Sequence, residues 1–240
     1  MPVAASAPTP SADDGEAPRR SGRLVLVLGG LAAVSAVFAA VVIFSNSTAE
    51  PVKPKDPVAA VRAGDRSLTV GARSAATKVV VYEDFGSPDS RTFDISSRDF
   101  LRDEAARGNV AVEYRPVALA DADYSADAVA AWGAVLEQGR PGQALALHDL
   151  LFDLQPRPDD TAQQEFSALA RKAGVRDTEV LDAAGSPDPA WAAATRQEAR
   201  AARVRTTPVV RVDGEPLTAP SPVALADRLQ RLVLERTARS

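Results

Sequence analysis

Ser87-Pro88-Asp89-Ser90, following the carboxylates Glu83 and Asp84, brings nucleophile-type and acid/base-type side chains within a few residues of one another. A serine nucleophile needs an adjacent general base, most often a histidine oriented by a carboxylate. The chain has one histidine, His148, set in an Ala/Leu-rich helical stretch. It reads as a helix residue, hydrogen-bonded or half exposed, without catalytic duty. Ser87 reads as a helix cap, Asp84 as a support for the turn and Glu83 as half solvated. No catalytic residue is assigned. With no cysteine and a single histidine, a metal site would need carboxylates alone, and Asp121 with Asp123, or Asp159 with Asp160, read as loop and cap residues. No metal and no cofactor is expected, and neither G-x-G-x-x-G nor G-x-x-x-x-G-K-[ST] occurs. A basic run, Arg196, Arg200, Arg203 and Arg205, places its first three members on one helical face. It reads as a solvated face, with a patch for an anionic partner as the alternative.

The elements that position these residues follow from periodicity. Val79, Val80, Val81 and Tyr82 form a buried β-branched and aromatic strand within 78–83. The chain turns at Gly86; Ser87 caps, Pro88 suits the first helical turn, and Asp89 sits at the positive end of the helix dipole. The helix runs through Phe93, Phe100 and Leu101 to Arg107, with Gly108 closing it. Before it, 67–70 reads as an edge strand; after it, Val110, Val112 and Tyr114 alternate with Ala111, Glu113 and Arg115 as a strand. Two strands separated by a helix predict a right-handed βαβ unit with parallel pairing. Residues 120–203 read as helical segments with no convincing strand, over 126–138, 141–153, 161–173, 177–184 and 189–203. The sheet resumes at 209–212, turns at Asp213-Gly214 and returns near Leu217. An amphipathic helix over 222–236 carries Leu225, Leu229, Leu232 and Val233 on one face. The order is β-α-β, a helical insertion, then β-β-α, an α/β fold.

With 240 residues, 45% of them hydrophobic, the chain holds one domain with a proper core. Aromatic residues are only 5%, so that core is built mainly from Val, Leu and Ala. The net charge of −4, with no basic block interleaved with aromatics, argues against a nucleic-acid partner. Residues 1–23, rich in Ala, Ser and Pro, read as a disordered cytoplasmic tail. Residues 24–44 are 21 uncharged residues, long enough to cross a hydrocarbon core of about 30 Å and too long for an ordinary signal-peptide core. They read as a single transmembrane anchor in the lipid bilayer. Arg19, Arg20 and Arg23 before it place the N-terminus in the cytoplasm and the C-terminal domain outside. Residues 45–65, with Pro51, Pro54 and Pro57, read as a Pro-rich linker.

The turn also resembles a known family. A strand ending in an acidic pair, an aromatic-Gly step and x-P-x-x is similar to the C-P-x-C active-site turn of the DsbA-like, thioredoxin-fold oxidoreductases of the membrane-anchored bacterial type, with serine at both cysteine positions. Val204 to Gly214 resembles the family's V-x-G-T-P-T-x-x-V-x-G segment, with Thr206 where the family has Gly. Glu113-Tyr114-Arg115-Pro116 and Leu147 to Phe152 resemble its second strand and inserted helical hairpin. The likeness spans roughly residues 66 to 237. It implies a thioredoxin-like fold with an inserted helical subdomain over 66–240, a cis bond before Pro208, and a peptide-contacting surface at Thr206, Thr207 and Pro208. In the family a thiolate at the helix N-terminus is stabilised by dipole and backbone N–H groups; a serine hydroxyl there forms no disulfide, so autonomous exchange is excluded. The resemblance points to a redox-inactive module that binds or scaffolds an extracytoplasmic protein or unfolded peptide segment. Participation in envelope thiol-disulfide exchange, with a partner supplying the cysteines, and a structural accessory subunit of an envelope complex are the alternatives.

Overall fold

The computed structural model describes residues 61–120, 123–156 and 165–239. The expected tail, the anchor and most of the linker lie outside the described residues, as do Asp121, Asp159 and Asp160. Among the described residues no helix is long and apolar enough to cross a membrane.

Six strands form one sheet: β1 (Val61–Ala63), β2 (Leu68–Val70), β3 (Thr77–Glu83), β4 (Val110–Pro116), β5 (Val209–Val212) and β6 (Glu215–Leu217), in the order β1-β2-β4-β3-β5-β6. β3 and β4 are parallel, with Val81 opposite Tyr114 and Glu83 opposite Pro116, and every other pairing is antiparallel. The parallel pair is joined through α1 (Pro88–Ala106), as the crossover rule requires. Two expectations are corrected at the sheet's outer edge. The strand expected at the edge over 67–70 is interior, because β1 pairs outside it. The linker expected to run to Asp65 yields to strand at Val61, where Arg62 also donates to the Gly71 carbonyl at 2.7 Å.

The insertion holds α2 (Asp123–Glu137), α3 (Pro141–Asp153), α4 (Phe166–Lys172), α5 (Thr178–Gly185) and α6 (Pro189–Ala201), and α7 (Pro222–Thr237) closes the chain. Helix starts are written locally. Ser87, Asp177, Asp188 and Ser221 each cap their helix by accepting a backbone N–H, worth about 1 kcal/mol apiece. Proline follows at the first helical positions of α1, α3, α6 and α7, where its missing N–H costs nothing.

The core divides in two. Val79, Val81, Val112, Val210 and Val212 of the sheet pack against Phe93 and Leu101 of α1 and Leu225, Leu229 and Val233 of α7. The insertion builds its own cluster around Trp132, Leu147, Leu151, Phe152 and Trp191. Phe85, at the end of β3, belongs to that second cluster and ties the turn after β3 to the insertion. At about 1.5–3 kcal/mol per fully buried aliphatic or aromatic side chain, both clusters are strong enough to hold the turn between them.

Candidate functional site

The segment Ser87 to Ser90 opens α1. Ser87 adopts an extended conformation, and its hydroxyl accepts the Ser90 N–H at 3.2 Å. Ser90 is fully buried, and its Oγ accepts the Asp84 N–H at 3.2 Å, so it terminates β3 as Ser87 initiates α1. Asp84 supports the turn as expected: Oδ1 accepts from Gly86 N–H at 2.8 Å and from the Ser125 hydroxyl, while Oδ2 accepts the N–H groups of Leu119 and Ala120, both at 2.6 Å. Gln155, just past α3, donates to the carbonyls of Phe85 at 2.6 Å and Ser87 at 3.1 Å. Among the described residues neither serine meets a general base, and Pro88 and Asp89 are exposed.

The second predicted segment lies against the first. The Thr207-Pro208 bond is cis, and the Ser87 hydroxyl stands 3.5 Å from the Thr207 carbonyl oxygen across a separation of 120 residues. Thr206 is exposed, while Thr207, Pro208 and Ser87 are half-buried. These residues make one lip of hydroxyls and backbone polar groups, open to solvent.

On the inner side of α1 the structure corrects the expectation for Glu83 and, of the two alternatives for His148, bears out the hydrogen-bonded one. Glu83 is not half solvated but 1% exposed, and His148 is fully buried. His148 Nε2 lies 2.7 Å from Glu83 Oε1, and its Nδ1 lies 3.2 Å from Asp149 Oδ1. Asp149 pairs in turn with Arg102, and Arg98 joins Asp94 to Asp153. Burial lowers the His148 pKa, but the Glu83 charge and the hydrogen bonds to Asp149 and Glu83 outweigh it, and the imidazole is pushed up to about 10. Burial raises the Glu83 carboxyl, against the opposing pull of His148. Asp149, despite burial, is held far below the usual carboxylate range by His148 and Arg102. The pair therefore keeps one proton between Oε1 and Nε2 at neutral pH, and Nδ1–H donates to Asp149.

Both burials had signals in the sequence. In β3 the inward positions Thr77, Val79 and Val81 alternate down to Glu83, and in α3 the buried positions Ala144, Leu147, His148, Leu151 and Phe152 share one face. Glu83, Asp94 and His148 also present their polar atoms within 4.8 Å of one another. Asp94, however, is already bonded to Arg98.

The basic run divides. Arg196 donates to the Ala118 carbonyl at 2.8 Å, whereas Arg200, Arg203 and Arg205 line a surface concavity of about 540 Å³ beside the Thr206 loop.

A family model described as thioredoxin matches residues 64–231. Among solved structures, the oxidised DsbA of Mycobacterium tuberculosis is 27% identical, with a TM-score of 0.55 over 73% of this chain and 92% of that one. The reduced disulfide bond oxidoreductase DsbG of the same organism is 26% identical, with a TM-score of 0.56 over 75% and 92%. Oxidised BdbD of Bacillus subtilis superposes with a TM-score of 0.61 over 76% and 99% at 14% identity, a likeness of fold alone. No curated protein sequence matches.

Proposed function

The chain belongs to the thioredoxin family and is DsbA-like, and from that premise we propose that it holds an extended segment of a partner protein without forming a covalent bond to it. The observation that carries this reading is the lip itself. Ser87 and Thr207, 120 residues apart, meet at 3.5 Å on an open surface, with a hydroxyl where the family's motif has sulfur. A polypeptide with no cysteine makes no mixed disulfide, but backbone groups beside a sheet can pair with an added strand through hydrogen bonds alone. Thr206, Thr207 and Pro208 would supply those groups and Ser87 to Asp89 the facing wall.

In this reading the domain stands outside the cytoplasmic membrane, tethered through residues 24–44 and the linker that follows. Protease added to intact spheroplasts should digest it; full protection, with cleavage after lysis, would overturn that placement. Binding is tested by a photo-crosslinking residue at Ser87 or Thr206 of the full chain, with one at Glu235 on α7 as control. An unfolded, cysteine-alkylated model protein should crosslink at the first two positions and not at the third. Capture only at Glu235 would place the binding surface elsewhere.

A second reading has support in the relatives, whose names include a disulfide bond oxidoreductase. In it, the chain presents clients to envelope enzymes that supply every cysteine. Those enzymes would then be captured at Ser87 or Thr206 together with their clients.

A further inference from the structure

Three helices end in the same hydrogen-bonded device, the Schellman motif. At the end of α1, Gly108 N–H donates to Ala105 O at 3.1 Å and Asn109 N–H to Glu104 O at 2.9 Å. At the end of α4, Gly174 N–H donates to Arg171 O at 3.1 Å and Val175 N–H to Ala170 O at 3.0 Å. At the end of α6 the same two bonds run from Arg203 to Arg200 O at 3.0 Å and from Val204 to Ala199 O at 2.8 Å. The motif needs a left-handed residue, and φ is +82° at Gly108, +97° at Gly174 and +59° at Arg203. Glycine takes that conformation without a Cβ clash. Arginine takes it at a cost, and it is a residue the backbone does not ask for.

The surroundings show what the side chain is placed to do. Val204 is 2% exposed and packs with Ala199, Tyr82 and Val117, the apolar contact that accompanies this motif. With Val204 turned inward, its neighbours Arg203 and Arg205 are exposed, and with Arg200 they line the concavity of about 540 Å³. Among the described residues no hydrogen bond or ion pair engages the side chain of any of the three. The nearest carboxylate in sequence, Glu198, is taken up by Arg66 and Arg115. Three uncompensated guanidinium groups thus line a hollow that ends where Thr206 begins.

We propose that Arg200, Arg203 and Arg205 form a carboxylate-reading wall, so that the segment held at Thr206 to Pro208 carries Asp or Glu side chains beside the stretch that touches the lip. This rests on the peptide-holding reading above and adds the chemical class of the segment. Guanidinium forks suit carboxylates because each can present two parallel N–H donors. A negatively charged segment is also drawn to the site before it docks.

The test uses the full chain and two fluorescent extended peptides identical except that one carries four Glu and the other four Gln. Fluorescence anisotropy at low ionic strength should give the Glu peptide an affinity about tenfold higher, the fold-change expected of three exposed ion pairs. The difference should vanish near 1 M salt, where screening acts within about 3 Å. Arg203→Gly separates the side chain from the backbone it sits on. It should raise the thermal midpoint, because glycine relieves the left-handed position, yet cut the Glu preference to about fivefold by removing one pair of three. Equal binding of the two peptides, or a preference unchanged in Arg203→Gly, overturns the proposal while leaving the peptide-holding reading intact. Binding of neither peptide overturns both. Arginine-dependent binding of short-chain phosphatidylglycerol, with equal peptides, assigns the wall to lipid headgroups and overturns the assignment to a protein segment.

Discussion

Polar groups lie on both sides of the first turns of α1, and the two sets are held in opposite ways. On the outer side, Ser87 and the Thr206 to Pro208 loop use neutral hydroxyls and backbone groups, half-buried or exposed. On the inner side, Glu83, Asp94 and His148 are buried ionisable groups, bridged to Arg98, Arg102 and Asp149. An uncharged group at a surface loses little when its partner changes, because water takes the partner's place. A buried charge has no such substitute. The outer side is therefore free to vary in chemistry, whereas the inner side fixes the relative positions of β3, α1 and α3. Changes to the two sides should separate cleanly in what they cost.

The largest effect belongs to His148→Ala. It leaves Glu83 buried beside Asp94 without its cation, and Glu83 Oε2 is already buried with no hydrogen-bond partner among the described residues. A loss of about 3–5 kcal/mol is expected for breaking such a pair, read from the midpoint of denaturant unfolding. The double change Glu83→Leu with His148→Phe should cost much less, because the ring sits among Phe85, Tyr114 and Phe152 and an apolar pair needs no compensation. A double variant as unstable as His148→Ala alone would show that the contrast between the two sides is one of packing rather than charge.

pH gives the next effect. The His148 pKa is raised from 6.5 to about 10, so its stabilisation is complete below about pH 6.5 and is lost as pH rises through about 10. Glu83 is also raised, which adds loss in the same direction. Asp149 is lowered, so its contribution is present above the ordinary carboxylate range and is lost only in strong acid. Stability should fall between pH 7 and 10 with a slope of up to about 1.4 kcal/mol per pH unit for one proton. Glu83→Leu with His148→Phe should flatten that slope, because it removes both raised groups, and Ser87→Ala should leave it unchanged. A flat wild-type profile would mean that the inner pair does not hold its proton.

Ser90→Ala follows. The side chain is fully buried and accepts the Asp84 N–H, so its loss orphans a buried donor at a cost of about 1–3 kcal/mol. Ser87→Ala removes only a cap open to water, about 1 kcal/mol. Thermal melts of the two variants should rank them in that order, and a reversal would contradict the reading of Ser90 as the buried acceptor that terminates β3.

The sequence carried the frame of this arrangement because its signals are local. Proline and glycine punctuate the helices, valines alternate in the strands, and the span of α3 is the one periodicity predicts. Ser87 as a cap and Asp84 as the turn's support were legible for the same reason. The His148–Glu83 contact was not, because it joins residues 65 apart and depends on the angle at which α3 crosses β3. Alternation marked Glu83 as inward, but its charge argued for solvent, and only the buried histidine resolves the conflict. The outer edge strand escaped notice because three residues, Val61-Arg62-Ala63, are too few to show alternation next to a proline-rich stretch. Arg203 was visible as one charge in a run, while its left-handed backbone was not.

The largest change in chemistry should come with a small change in stability. Ser87→Cys with Ser90→Cys exchanges oxygen for sulfur at the two ends of the lip's helical turn and alters no apolar contact. The backbone already supplies what a reactive thiol needs: an extended cap residue, the Ser90 N–H aimed at its side chain and a half-buried position at the positive end of α1. Because sulfur still accepts a backbone N–H, if weakly, stability should fall by less than the loss of about 1–3 kcal/mol expected of Ser90→Ala. Mild oxidation should then protect both sulfurs from alkylation, measured as a mass shift against the reduced protein. Singly, Ser87→Cys should alkylate quickly and Ser90→Cys slowly, since Ser90 is fully buried. If the double variant stays fully alkylatable under oxidants that close other pairs two residues apart, the turn is not the counterpart of C-P-x-C. The outer side would then owe its shape to something other than the backbone it shares with its relatives.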